Sequence, residues 1–93
     1  MHHDRESVTR RVLESLEDLT ERPSNRIRLK DRLVSDLGLD GDDFSFVFVP
    51  GLEQALGIRT DPLAWEHLVT VGQVIEYLVA STRRASSAVE PAG

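Results

Sequence analysis

Residues 37–44 read Leu37-Gly38-Leu39-Asp40-Gly41-Asp42-Asp43-Phe44, and the fold turns on what begins here. Acids at 40, 42 and 43 just ahead of an apolar run suit the start of a helix. They can cap its unpaired N–H groups and complement its dipole. A helix is therefore predicted to start near Asp40–Asp43. Phe44, Val47, Phe48, Leu52, Ala55 and Leu56 then share one helical stripe. Two features compete with this reading. Phe44-Ser45-Phe46-Val47-Phe48-Val49 has the aromatic and β-branched content of a strand. Pro50-Gly51 falls in the middle of the helix, where a proline removes a hydrogen bond and costs roughly 3 kcal/mol. The stripe resumes in register beyond the proline, so the prediction is a helix kinked or broken at Pro50.

Upstream, residues 23–39 form a long connection. It carries too many apolar residues, among them Ile27, Leu29, Leu33, Val34, Leu37 and Leu39, to be a free linker. It is expected to pack over the other helices, with one helical turn near Asp31–Val34. Arg26, Arg28, Lys30 and Arg32 alternate with these residues and read as a solvated face, with a basic docking strip as the alternative. Before it, Val8, Val12, Leu13, Leu16 and Leu19 recur at helical spacing. Asp4 or Ser7 can cap this first helix, and it must end before Pro23.

Downstream, Asp61-Pro62 pairs an N-cap with proline at the first helical position. It opens a short helix through Leu63, Ala64, Trp65 and Leu68. Thr70-Val71-Gly72-Gln73 matches a capping box and opens a last helix with Val71, Val74, Ile75, Leu78 and Val79 inward. The predicted class is all-α: a four-helix bundle with a long loop between its first two helices. The folded domain is placed at residues 1–80, and residues 81–93, rich in Ser, Ala, Pro and Gly, read as a flexible tail.

Composition narrows the function. The chain has 93 residues, one domain's worth, of which 40% are hydrophobic. No apolar run approaches the ~18 residues of a membrane span, and residues 1–6 lack a signal peptide's apolar stretch. A cytoplasmic location is expected. There is no cysteine, hence no disulfide, thiolate metal site or thiol nucleophile. The net charge of −5 disfavours nucleic acid, whose affinity rests on Lys and Arg, and suits a protein with a basic docking patch.

The stretch from Leu37 resembles the acyl carrier protein signature, in which Leu-Gly-x-Asp-Ser-Leu opens the second helix. Leu37, Gly38 and Asp40 match it. The order from Ile58 through Asp61-Pro62 to Thr70-Val71 and Tyr77-Leu78 is similar to the family's run into its Thr-Val-capped last helix. The resemblance covers about residues 5–80. It implies a four-helix bundle whose second helix starts with a serine carrying a phosphopantetheine arm. At a helix N-terminus that serine is exposed, and the dipole favours its phosphate. Here the position is Gly41. If one residue is inserted between Leu37 and Leu52, it is Asp42 instead. Neither has a hydroxyl. Ser45, one turn on, is the nearest alternative attachment point; Ser35 is weaker still.

The resemblance also makes helix two the docking helix, through Asp40, Asp42 and Asp43, with Phe46 and Val49 off the buried stripe as an apolar contact. The competing reading is that Pro50 rotates the helix and buries them. No catalytic set can be assembled around His67, the body's one histidine. No metal is expected either: counted from Asp36, the third and twelfth positions of a calcium loop would be Gly38 and Val47. The resulting expectation is a non-enzymatic interaction module without a cofactor, its partner a biosynthetic enzyme with a basic docking patch. The alternatives are a carrier bearing 4'-phosphopantetheine on Ser45, and a bundle that binds an acyl chain.

Overall fold

The computed structural model describes residues 4–88, and the side chains of residues 4–84. Helix α1 spans Arg5–Thr20. Asp4 is its N-cap and accepts the Ser7 N–H at 2.8 Å. Helix α2 covers residues 41–56 without a break: an α-helical turn at Gly41–Asp43, a π-helical turn at Phe44–Phe48, and an α-helical segment at Val49–Leu56. Helix α3 is the single turn Pro62–Trp65, with the Asp61 carboxylate accepting the Leu63 N–H. Helix α4 spans Val71–Ala88. The described residues contain no strand, only one isolated antiparallel bridge between Arg32 and Thr70. The chain is all-helical, as its periodicity predicts.

The core is a set of stripes closed on one another. Val8, Val12 and Leu16 of α1 face Phe48, Leu52 and Leu56 of α2 and Val71, Val74, Ile75 and Leu78 of α4, all buried. Helix α1 packs on both α4 and α2. The capping box at α4 forms as predicted: the Gln73 N–H donates to Thr70 Oγ1, and Gln73 Oε1 accepts the N–H groups of Thr70 and Val69.

The connection before α2 is tied down. Ile27, Leu33, Leu37 and Leu39 are buried, whereas Leu29 and Val34 are exposed. The Leu33 N–H donates to the Val69 carbonyl, and the carbonyls of Asp31 and Leu29 accept the N–H groups of Val71 and Gly72. Two donors that the start of α4 would leave unpaired are so satisfied. Gly72 allows this approach, because a Cβ there would lie 3.2 Å from the Leu29 oxygen. A short 3₁₀ turn forms at Ser24–Arg26. The turn expected near Asp31–Val34 lies a little later, at residues 33–37, closed by Gly38 at φ +70°.

Two expectations need correction. First, of the two outcomes expected at Pro50, a break does not occur: α2 runs through the proline. The turn ahead of the proline widens instead, with the Val49 N–H donating to the Phe44 carbonyl five residues back. A π turn holds one residue more than an α turn, so the inward face shifts. Phe48, Leu52 and Leu56 are buried, while Val47 is 49% exposed and Ala55 is also exposed. The helix predicted over residues 44–49 forms in spite of their strand-like content, as context-dependent β propensity allows. Second, the last helix continues past Ala80 to Ala88, with Ser81 and Thr82 buried. Their hydroxyls donate to the carbonyls of Tyr77 and Val79. Residues 89–93 of the expected tail lie outside the described residues.

Two predictions follow from these features. Pro50→Ala should raise stability by about 1 kcal/mol, about 4–8 °C in midpoint for a domain of this size. The full cost of a mid-helix proline does not apply, because the π turn relieves part of it and the proline stiffens the unfolded chain. A lower midpoint on thermal unfolding would mean that the π turn depends on Pro50. The second concerns Arg5, which bonds Glu76 through both terminal guanidinium nitrogens and joins α1 to α4. This bond holds the Glu76 carboxyl below the ordinary glutamate range, with the charges of Arg5 and Arg83 adding to it against a desolvation effect of opposite sign. A depressed carboxylate stabilises the fold above its unfolded pKa, and that contribution disappears as pH falls through the folded value. Denaturant midpoints should therefore fall below about pH 4.5, slightly less so in Glu76→Gln. The pair is solvent-exposed, so the difference will be small.

Candidate functional site at the start of helix α2

Leu37 and Leu39 anchor the approach to α2, at 4% and 3% exposure. Between them the left-handed Gly38 turns the chain toward the helix. Asp40 takes the N-cap position with extended backbone, φ −70° and ψ 145°. Its carbonyl accepts the Phe44 N–H at 2.8 Å. The expected side-chain cap does not form: the Asp40 carboxylate makes no capping bond. Asp42 and Asp43 occupy the first turn, where their charge complements the dipole.

Gly41 and Asp42 are exposed. A Cβ at Gly41 would meet nothing within 4 Å, so a side chain fits there. What is missing is a hydroxyl, at Gly41 and Asp42 alike, and the residues present do not fit the attachment of a phosphopantetheine arm by a phosphodiester at either position. The π turn begins only at Phe44, so both positions lie upstream of it.

Among the expected contact residues, Asp40, Asp42 and Phe46 are exposed, Phe46 at 76%. Asp43 is half-buried. Val49 is not a free surface residue: it is half-buried and packs against the core. Val47 stands beside Phe46 in its place, brought to the surface by the register shift.

Ser45 is exposed and borders a cleft of about 390 Å³ between α2 and α3. Phe44, Val49, Pro50, Pro62 and Trp65 supply its apolar walls, and Ser45, Glu53, Thr60 and Glu66 its polar groups. The cleft is braced by a chain of hydrogen bonds. Trp65 Nε1–H donates to Thr60 Oγ1 at 2.7 Å, and the Thr60 hydroxyl and N–H donate to Glu53 Oε2 at 2.6 and 2.7 Å. Trp65 itself is 5% exposed, with edge contacts to Phe44, Phe48 and Tyr77 at centroid distances of 5.6–6.1 Å. The sequence places Trp65 on the short helix but does not signal the cleft. The pairing of Glu53 with Thr60 spans the end of a helix and leaves no periodic signal.

His67 is exposed, and no group of three or more metal-ligating side chains gathers among the described residues. No helix among them is long and apolar enough to cross a membrane.

An acyl carrier protein of Saccharopolyspora erythraea is 33% identical to this chain over 91 residues, covering 95% of each. The chain belongs to the acyl carrier protein family. No family model matches it. Membership agrees with the four helices and with the long connection between α1 and α2. It makes this an acyl-carrier-like domain, a class of carriers rather than enzymes.

Proposed function

We propose that this chain is a protein-interaction module of the acyl carrier protein family that carries no phosphopantetheine arm. Acting in the cytoplasm, it docks a fatty acid or polyketide biosynthetic enzyme that has a basic patch. The contact is the first turn of α2, with Asp40, Asp42 and Asp43 supplying charge and the exposed Phe46 and Val47 supplying apolar area.

The observation that carries this reading is the identity of residue 41. The π turn holds one residue more than an α turn, and it lies downstream of Asp43, which supports placing any inserted residue there. The register of Leu37-Gly38-Leu39-Asp40 therefore runs undisturbed into the helix. On that count the arm's position is Gly41 rather than Asp42, and glycine cannot form the phosphodiester.

A second reading rests on Ser45, whose exposed position beside the cleft supports a carrier with a displaced attachment site. Intact mass separates the two. After incubation with a broad-specificity phosphopantetheinyl transferase and coenzyme A, the unaltered chain should gain no mass. A gain that is absent in Ser45→Ala would replace the armless module with the displaced carrier.

A further inference from the structure

The connection before α2 gathers positive charge that the docking role does not use. Arg22, Arg26, Arg28, Lys30 and Arg32 are five of the chain's eleven Lys and Arg residues, and all five are exposed. Among the described residues none of them makes an ion pair. The acids beside them are already engaged: Asp31 accepts the Arg28 N–H and Asp36 the Arg32 N–H. Arg22, Arg26, Arg28 and Lys30 line a depression of about 590 Å³. Leu29 and Val34 stand among these cations at 58% and 63% exposure. The stretch is not a loose arm, since its backbone is bonded to Val69, Val71 and Gly72. Its counterpart lies at the start of α2. Asp40, Asp42 and Asp43 also make no ion pair among the described residues, and Phe46 and Val47 follow them exposed. The two surfaces are opposite in charge. Together they hold four of the six large hydrophobic residues exposed among the described residues.

We propose that the basic connection of one copy of this chain docks the acidic start of α2 of a second copy. Arg26, Arg28, Lys30 and Arg32 face Asp40, Asp42 and Asp43 across the contact, and Leu29 and Val34 lie against Phe46 and Val47. Each surface crowds like charges on one short segment without a counter-charge of its own, so both gain from the contact. The charges select which faces meet, and the apolar residues add buried area. Every copy carries both surfaces, so the contact can be made twice in a two-fold pair. Exposed ion pairs contribute little each, which makes the association weak and reversible. The turn is the one assigned above to an enzyme partner, and such a pair would cover it. The proposal rests on the exposure and charge of that turn, not on the identity of that partner or on the missing arm.

Sedimentation velocity on the purified full chain tests this, over roughly 10 μM to 1 mM, where weak contacts populate. In about 0.01 M salt, with a Debye length of about 30 Å, a species heavier than one chain should grow with concentration. In about 0.15 M salt, with a Debye length of about 8 Å, the association should weaken at least about threefold. Arg28→Glu with Lys30→Glu, and separately Asp40→Lys with Asp42→Lys, should each weaken self-association at least about tenfold, because like charges then meet across the contact. An equimolar mixture of the two variants should restore it, since each reversed surface then finds an opposite one. Thermal unfolding checks that both variants fold. Should lysines at the positive end of α2 lower the midpoint, Asp40→Asn with Asp42→Asn takes their place and should weaken self-association at least about threefold. The proposal is overturned by a chain that stays monomeric throughout at low salt, by association that salt does not weaken, by folded variants that associate as before, or by a mixture that pairs no better than either variant alone.

Discussion

Gly41→Ser is expected to turn a chain that gains no mass into one that takes up a single phosphopantetheine when incubated with the transferase and coenzyme A. The physical conditions for it are present. Residue 41 is the first residue of α2, so a serine hydroxyl there would be exposed at the positive end of a helix dipole, where a phosphate is favoured. No atom blocks the new side chain. Asp40 precedes it, as the family pattern has it. The substitution replaces the residue with the greatest backbone freedom at a helical position, so it should stabilise rather than unfold the domain, by up to about 1 kcal/mol. Failure to modify could then not be ascribed to a lost fold.

Asp42→Ser is the matched control, because it tests the other register. If Asp42→Ser is modified and Gly41→Ser is not, the count must be taken backward from Leu52 and Leu56, and the extra residue lies before Asp42. If neither variant is modified, the proposal that this turn is a former attachment site falls. Asp42 also stands where the family pattern has leucine. Adding Asp42→Leu to Gly41→Ser should therefore speed the modification, which a time course of intact mass would show.

What could be read from the residues was what is decided locally. The Thr70–Gln73 capping box, the Asp61-Pro62 start and the stripe of α1 each depend on side chains three or four positions apart. All three form as predicted. The buried face of α4 was equally plain. The π turn was not, because a hydrogen bond spanning five residues has no composition of its own. It arises just ahead of a proline, in a helix that the core keeps continuous. That one feature misplaced Val47 and Ala55 inward and Val49 outward. The boundary at Ala80 failed for a related reason: Ser81 and Thr82 look like tail residues, but their hydroxyls satisfy themselves on the preceding turn. At the candidate site, the acids and the missing hydroxyl were legible from residue identity alone. The cleft was not, since Glu53, Thr60 and Glu66 converge only after α3 folds back on α2.

Phe48→Ala should cost the domain about 3–5 kcal/mol, the largest stability loss of any substitution considered. Phe48 is 1% exposed, is the largest fully buried side chain, and touches both Phe44 and Trp65. Its removal takes away apolar burial and leaves a cavity that a rigid bundle can only partly close. Two aromatic contacts go with it, at about 0.5–1.5 kcal/mol each beyond their area. Proteins of ordinary stability have about 5–15 kcal/mol in total, so the variant should unfold far more easily in urea. Phe46→Ala, two residues away and 76% exposed, should change stability by no more than about 0.5 kcal/mol. The contrast tests the π register directly. A regular α-helix with the stripe predicted from sequence would also bury Val47, and Val47→Ala would then cost more than about 1 kcal/mol. With the wide turn in place, Val47 is half exposed and its loss should be nearly silent. Urea midpoints for the three variants would therefore locate the extra residue in solution, and a costly Val47→Ala would put it elsewhere and reopen the choice between Gly41 and Asp42.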